Sequence, residues 1–445
     1  MKRILILGAG LSATSLIDYL ISKSEIFDWK IVIGDMDIAL AEKKTNNHPN
    51  AKAVRFDTNE IEKIESLVSG MDVVVSMLPA RFHDLIAAEC LKQGINMATA
   101  SYVSPYLLQI DEELKAKSLT FLNELGLDPG IDHMSAMQVI DRIRAKGGRL
   151  TAFYSFTGGL IAPESDDNPW NYKFTWNPRN VVLAGQGVSQ YIINGRYKYI
   201  PYHKLFERVM PRTVLNFGEF EVYPNRDSLK YRKIYDIENI QTMMRGTMRR
   251  PGYCEAWNVF VQLGCTDDTY TIENSEKMTY RDFINSFLRY DLVKPVEEKL
   301  CENLNLDPDG ETMSKLKWLG IFEDKPILLN NASPAQILQK LLESKLSLNK
   351  HDKDMIVMQH EFEYLLDNKL HKIVSAMGYI GKDTVNTAMS ITVGTPLAIA
   401  VKLLLTDKIS SKGVIIPTKP ELYEPILAEM EDYGIRFIEK ESVVD

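Results

Sequence analysis

Short runs of contiguous apolar residues punctuate the first third of the chain, at positions 4–7, 31–33, 53–56, 73–78, 96–98 and 119–122. Between them, apolar positions recur at helical spacing, as with Leu85, Ala88 and Leu91 on one face. A strand apolar at nearly every position needs cover on both sides, and intervening helices supply it. The pattern predicts an α/β domain built on a doubly wound parallel sheet of six strands.

From about residue 149 the texture changes, and aromatics, prolines and glycines crowd together around Gly158-Gly159 and Trp170–Trp176. Strand-like stretches follow at 217–222, 242–249, 356–365 and 371–377. The last two are joined by Asp367-Asn368-Lys369, a hairpin signal. These features predict an α+β domain on an antiparallel or mixed sheet. Between about 278 and 350 the chain is charge-rich, with leucines at helical spacing, and reads as a helical insertion. A helix is expected at 398–405 and another at 422–430, flanked by strand-like 414–417 and 435–438. The expected organisation is a dinucleotide-binding domain over 1–125, an α+β substrate domain over 126–277 and 351–394, and the insertion over 278–350. The tail, 395–445, is expected to return to the first domain.

Composition narrows the partners. The 445 residues are 45% hydrophobic and 25% charged, as in an ordinary soluble protein. A net charge of -8 argues against nucleic acid or an anionic membrane as the main partner, while leaving small acids open. Cys90, Cys254, Cys265 and Cys301 have no metal-ligand spacing, so reduced thiols in a cytoplasmic protein are expected, with no metal. The apolar N-terminal run stops at Gly8, too soon for a signal peptide, and Lys402 interrupts the apolar stretch 396–405 before it reaches membrane-spanning length.

The first strand runs directly into Gly8-Ala9-Gly10-Leu11-Ser12-Ala13, the G-x-G-x-x-A form of a dinucleotide loop. Gly8 permits a tight turn, Gly10 admits the pyrophosphate, and Ala13 lets the following helix pack on the sheet. Asp35 ends the second strand, where a carboxylate accepts hydrogen bonds from ribose hydroxyls and repels a 2′-phosphate. No arginine neighbours it in sequence, so NAD is expected over NADP, with NADP possible; Asp37 is the rival contact. Asp57-Thr58, Ser76 and Thr99-Ala100-Ser101-Tyr102 follow later strands and belong at the same crevice. The stretch 124–133, Glu-Leu-Gly-Leu-Asp-Pro-Gly-Ile-Asp-His, adds a tight turn with carboxylates and an imidazole where one domain is expected to give way to the next.

Together with Gly158-Gly159-Leu160, Asn168-Pro169, Tyr172-Lys173-Phe174-Thr175-Trp176, Tyr223–Ser228, Arg245-Gly246-Thr247-Met248-Arg249, Met358–Phe362 and Val393-Gly394-Thr395-Pro396, these motifs mark a family. Over nearly its whole length the chain resembles the glutamate-forming saccharopine dehydrogenases, also called saccharopine reductases. The resemblance implies a Rossmann domain, a saccharopine-binding domain with a helical insertion, and a homodimer. It implies cofactor contacts at Gly8, Gly10, Leu11, Ser12, Ala13, Asp35, Asp57, Thr58, Ser76, Thr99, Ala100, Leu127, Asp128, Pro129 and Trp176. Substrate contacts fall at Ser101, Tyr102, Arg226, Arg245, Gly246 and Thr247. Two departures matter: fungal biosynthetic members carry an arginine where this chain has Asp35, and many members have a cysteine where it has Thr157.

The implied chemistry interconverts saccharopine with glutamate and 2-aminoadipate 6-semialdehyde by hydride transfer at a C–N bond. A triacid substrate calls for guanidinium groups, which hold carboxylates through paired hydrogen bonds. Arg226 and Arg245 are the candidates, with Arg249 and Arg250 adding long-range attraction. Asp128 and Tyr102 are candidate catalytic groups for proton handling, with His133 a third; Asp128 could instead simply form its turn, and His133 could satisfy a core hydrogen bond. A carboxynorspermidine dehydrogenase-like enzyme and a non-catalytic NAD-binding regulator are the alternatives.

Overall fold

The structure, a computed structural model, describes residues 1–184 and 186–444. It divides into two compact units: Met1–Arg149 with Tyr379–Ile438, and Leu150–Gly378 with the terminal residues from Glu439 on.

The first unit carries strands β1 (Lys2–Leu7), β2 (Trp29–Asp35), β3 (Ala51–Arg55), β4 (Val73–Ser76), β5 (Asn96–Thr99) and β6 (Thr120–Leu122). With the short strand Gly413–Ile415 they form a parallel sheet in the order Gly413–Ile415, β6, β5, β4, β1, β2, β3. All six expected strands are present. The order reverses direction between β1 and β4, the switch point at which a doubly wound sheet opens a crevice at its strand ends. Ile4, Leu5, Ile6 and Leu7 are completely buried, as a central strand covered on both faces requires. This is a Rossmann-type sheet.

The apolar helix near the C-terminus is longer than the sequence suggested. It begins at Ala388, not 398, and ends at Leu405. Thr387 caps it, its hydroxyl accepting from the Ser390 N–H at 2.9 Å. The helix runs through Gly394-Thr395-Pro396. Lys402 also fails to limit the segment: at 18 residues and a mean hydropathy of 1.8, the helix has the length and composition to cross a membrane. However, 78% of it is buried inside the fold, the property of a core helix. It packs on the helix Thr14–Lys23, and Ser390 Oγ accepts from the Ser15 N–H at 3.1 Å. Gly394 makes this contact possible, because a Cβ there would lie 2.7 Å from Leu16 N and 3.1 Å from Ser12 O. Further along, Tyr423 of the helix Pro420–Met430 donates to Asp141 of the helix Ile131–Ala145 at 2.8 Å.

In the second unit the strands are β7 (Arg149–Ile161), β8 (Val188–Ile193), β9 (Arg196–Pro201), β10 (Met210–Thr213), β11 (Glu219–Pro224), β12 (Thr242–Arg249), β13 (Asp354–Leu366) and β14 (Lys369–Ile380). Among the described residues, the sheet runs β10, β11, β12, β7, β13, β14 and the terminal strand Ile438–Val444, with β8 and β9 attached beside β12. It is mixed: β12 is antiparallel to β11 and parallel to β7. The β13–β14 hairpin turns on Asp367 and Asn368, both at positive φ, as a two-residue loop requires. The 13-residue strand β7, which contains Gly158-Gly159, was not among the expected strands. Over 278–350 the expected helices are present as Tyr280–Asn285, Val296–Leu304, Glu311–Leu319 and Pro334–Leu346. Capping boxes at Thr279/Asp282 and Ser333/Gln336 start two of them. They share one core with Trp170, Tyr172, Trp257 and Phe260.

Candidate functional site

On the first unit, β1 delivers the chain to Gly8, whose φ of +99° and N–H donation to Gly34 O (2.8 Å) turn it sharply. A Cβ on Gly8 would sit 2.8 Å from Met77 O, so only glycine fits beside β4. At Gly10 the situation is the opposite: no atom lies within 4 Å of where a Cβ would be. That open cradle, ahead of the turn Leu11–Ala13 and the helix Thr14–Lys23, suits a pyrophosphate facing a helix N-terminus. Ala13 is buried and Leu11 and Ser12 form the exposed and half-buried rim.

Asp35 is fixed from two sides. Its Oδ2 accepts from Ala9 N–H at 2.7 Å and its Oδ1 from Asp37 N–H at 2.9 Å. The carboxylate therefore braces the glycine loop and keeps lone pairs for further donors. Asp37, its rival, is occupied as the cap of the helix Ile38–Thr45, accepting from Ala39 and Leu40 N–H. The view that no arginine stands beside Asp35 holds only along the sequence. Across the sheet, β3 sets Arg55 opposite it in register, with the Arg55 guanidinium 3.3 Å from Glu60. Asp57 accepts from Asn59 N–H at 2.9 Å, and Thr58 beside it is half-buried.

Ser76 ends β4 fully buried, and Thr99 ends β5 with its hydroxyl accepting from Ser101 N–H at 3.2 Å. Sequence reasoning missed the residue that links them. His83 has Nδ1 2.8 Å from Ser76 Oγ and Nε2 2.7 Å from Ser101 Oγ. Burial pushes its imidazole down to about 4, with Asp84 opposing weakly, so the ring is neutral near pH 7. The separations of 7 and 18 residues carry no local signal, and only the fold brings the three together.

Tyr102 and Asp128 come together on this unit as well, the phenol oxygen 3.5 Å from Asp128 Oδ1, at the outer limit of a hydrogen bond. Leu127 is buried, Ala100 is half-buried, and Asp128-Pro129 is a cis peptide. His133 lies in the core of this unit. It is completely buried, with Nε2 2.7 Å from Glu124 Oε2. Glu124 in turn accepts from Val103 N–H at 3.1 Å and donates its own N–H to Ser101 O at 3.0 Å. The pair thus anchors the loop that bears Ser101 and Tyr102.

The second unit holds the arginines. Arg226 is exposed at φ +43°, and its carbonyl accepts from Gln190 N–H at 2.8 Å. Its loop is tied to β12, since Asn225 N–H donates to Arg245 O (2.9 Å) and Arg245 N–H to Ser228 Oγ (2.9 Å). Arg245 itself is buried, its guanidinium 4.2 Å from the centre of the Tyr231 ring. Gly246 lies between Pro224 and Phe156 in register, and Thr247 lies between Tyr223 and Thr157. Thr157 is buried with a hydroxyl that has no partner among the described residues. Trp176 is 38% exposed.

Arg249 is buried and Arg250 is half-buried. Arg249 is buried among Tyr172, Tyr253 and Tyr223, with ring centres 5.2, 5.4 and 5.9 Å away, and donates to Met248 O. Arg250 donates to Phe217 O at 2.8 Å. Lys173, inside one of the recognisable motifs, is likewise buried in a structural pairing with Asp352 (2.7 Å) and Asp167 (2.8 Å).

Residues 4–122 match the Saccharopine dehydrogenase NADP binding domain, and residues 126–435 match the Saccharopine dehydrogenase C-terminal domain. The mitochondrial alpha-aminoadipic semialdehyde synthase of Rattus norvegicus is 34% identical over 452 residues, covering 98% of this chain and 47% of that protein. The chain therefore spans about half the length of such relatives. The saccharopine dehydrogenase (NADP(+), L-glutamate-forming) of Saccharomyces cerevisiae is 31% identical over 447 residues, covering 99% of both chains. The solved apo structure of saccharopine dehydrogenase (L-Glu forming) from Saccharomyces cerevisiae superposes with a TM-score of 0.89 at 30% identity, covering 100% of each chain. The chain belongs to the saccharopine dehydrogenase family.

Proposed function

We propose that this chain is an NAD(P)-linked saccharopine dehydrogenase of the glutamate-forming kind. The observation that carries the reading is the open glycine cradle at the switch point of the first sheet, in a chain similar along its full length to such an enzyme. A bound nicotinamide nucleotide supplies the hydride acceptor for oxidation of the substrate's C–N bond. Gly8, Gly10 and the turn Leu11–Ala13 hold its pyrophosphate, and Asp35, Asp57, Thr58, Ser76, Thr99, Ala100, Leu127, Asp128, Pro129 and Trp176 complete its contacts.

The chain's own groups bind the substrate and manage protons. Arg226 and Arg245 hold carboxylates of saccharopine, and Ser101, Tyr102, Gly246 and Thr247 orient it. Each charge-assisted hydrogen bond contributes roughly 1.5–3 kcal/mol. The secondary amine loses a proton before its carbon gives up hydride, leaving an imine. Water then adds to that imine, and the adduct breaks its C–N bond to give glutamate and 2-aminoadipate 6-semialdehyde. Asp128 accepts the amine proton in this reading, supported by the 3.5 Å approach of the Tyr102 phenol to its carboxylate. The tie from Glu124 and His133 to the Ser101–Tyr102 loop keeps that pair in register.

For the nucleotide, Asp35 favours NAD, because a carboxylate at the ribose repels a 2′-phosphate. NADP is the second reading, favoured by Arg55 opposite Asp35 and by the name of the matched domain. The enzyme is further proposed to act in the cytoplasm as a homodimer that binds neither nucleic acid nor membrane.

Product analysis tests the reading. Incubation of purified protein with saccharopine and either nucleotide should release glutamate and the semialdehyde in equal amounts, matched by reduced nucleotide. Faster turnover of carboxynorspermidine than of saccharopine would place the chain among the alternative enzymes instead.

A further inference from the structure

In the first unit, Ser76 Oγ, both nitrogens of His83 and Ser101 Oγ form one unbroken line of hydrogen bonds, with contacts of 2.8 and 2.7 Å. Ser76 and His83 are buried, and Ser101 is half-buried at the open end. His83 begins the helix His83–Gln93, which follows β4 closely, so its ring is held beside the strand that presents Ser76. The neighbouring acid, Asp84, is engaged elsewhere, accepting from Ser104 Oγ at 2.6 Å.

A neutral imidazole has one N–H and one bare nitrogen, so the two serines cannot play the same part. With the proton on Nε2, Ser101 accepts from the ring and its own O–H is released to donate outward. Ser76 then donates to Nδ1. With the proton on Nδ1 the roles reverse: Ser101 spends its O–H on the ring, and Ser76 regains its own. A carboxylate can accept from Ser101 only in the first arrangement.

We propose that His83 is a positioning residue whose tautomer sets the direction of the Ser101 hydroxyl and ties it to the state of Ser76. A substrate carboxylate at Ser101 selects the Nε2–H form, and the same choice commits the Ser76 hydroxyl to Nδ1, leaving only its lone pairs for the nucleotide side. The two ligands are thereby coupled through one proton, and the coupling is reciprocal. This rests on the reading above, in which Ser101 meets substrate and Ser76 meets cofactor.

The test is nitrogen NMR of protein carrying ¹⁵N-labelled histidine, with saccharopine added in the presence of NADH, a pair that cannot react. Saccharopine binding is followed by calorimetry on the same preparation. The expected result is that His83 shifts toward a protonated Nε2 and a bare Nδ1 as saccharopine saturates, and that Ser101→Ala abolishes the shift. Saccharopine that binds while leaving the His83 tautomer unchanged overturns the inference and spares the assigned function. Saccharopine that does not bind overturns both. In steady state, His83→Phe should raise KM for saccharopine about tenfold, as expected for loss of one oriented hydrogen bond. His83→Gln retains a donor and an acceptor and should recover most of that loss; an equal fall in kcat and no change in KM for either variant would assign His83 a purely structural role.

Discussion

Asp35 has two jobs that a mutation can separate. Its carboxylate braces the glycine loop through Ala9 and is also proposed to accept from ribose hydroxyls. Losing the ribose bonds removes roughly 1.5–3 kcal/mol per bond, so Asp35→Ala should lower kcat/KM with NAD by about 10- to 100-fold. With NADP the loss should be smaller, since an acid at that position opposes the phosphate. Equal losses for both nucleotides would mean that Asp35 acts on the loop alone. Arg226→Ala should raise the Kd for saccharopine about tenfold or more while NAD affinity, measured by calorimetry, stays constant; matched losses of both would remove Arg226 from the substrate side. The glycine loop and Asp35 were legible because their chemistry is local to one strand and one turn. His83 was not, because its partners come from two other strand ends. The surroundings of Arg249 were hidden for a related reason: a sequence shows a charge but not the tyrosine cage around it.

At the scale of elements, contiguous apolar runs located the six strands that the first third of the chain gives to the seven-stranded first sheet, since burial on both faces leaves a pattern that survives without context. The hairpin turn at Asp367-Asn368 was equally plain, because few residues accept positive φ. Glycine and proline sit inside elements where packing overrides propensity. Gly158-Gly159 lies inside β7, and Gly394-Thr395-Pro396 lies inside the helix Ala388–Leu405. The latter case yields a prediction. A side chain at 394 would meet the main chain of Leu16, which cannot swing aside as a side chain can. Gly394→Val should therefore destabilise the protein by roughly 1–3 kcal/mol through overpacking, read as a lower Tm in calorimetry. Unchanged Tm would show that the two helices separate without cost.

For the whole molecule, the acid side of the stability profile carries the mark of His83. Its folded value, about 4, lies below the ordinary imidazole value near 6.5, so between those pH values the unfolded chain binds more protons than the folded one. Stability is then complete above about pH 6.5 and falls as pH drops toward 4, by up to roughly 3 kcal/mol from this residue. Urea denaturation at several pH values should show wild type losing stability relative to His83→Gln over that window. A gap between the two proteins that does not vary with pH would contradict it. The central claim is tested most directly by the initial rate of nucleotide reduction with saccharopine at alkaline pH, comparing NAD with NADP. The account predicts a rate that saturates with saccharopine and a higher kcat/KM with NAD; folded protein that binds nucleotide yet shows no saccharopine-dependent reduction of either would contradict it.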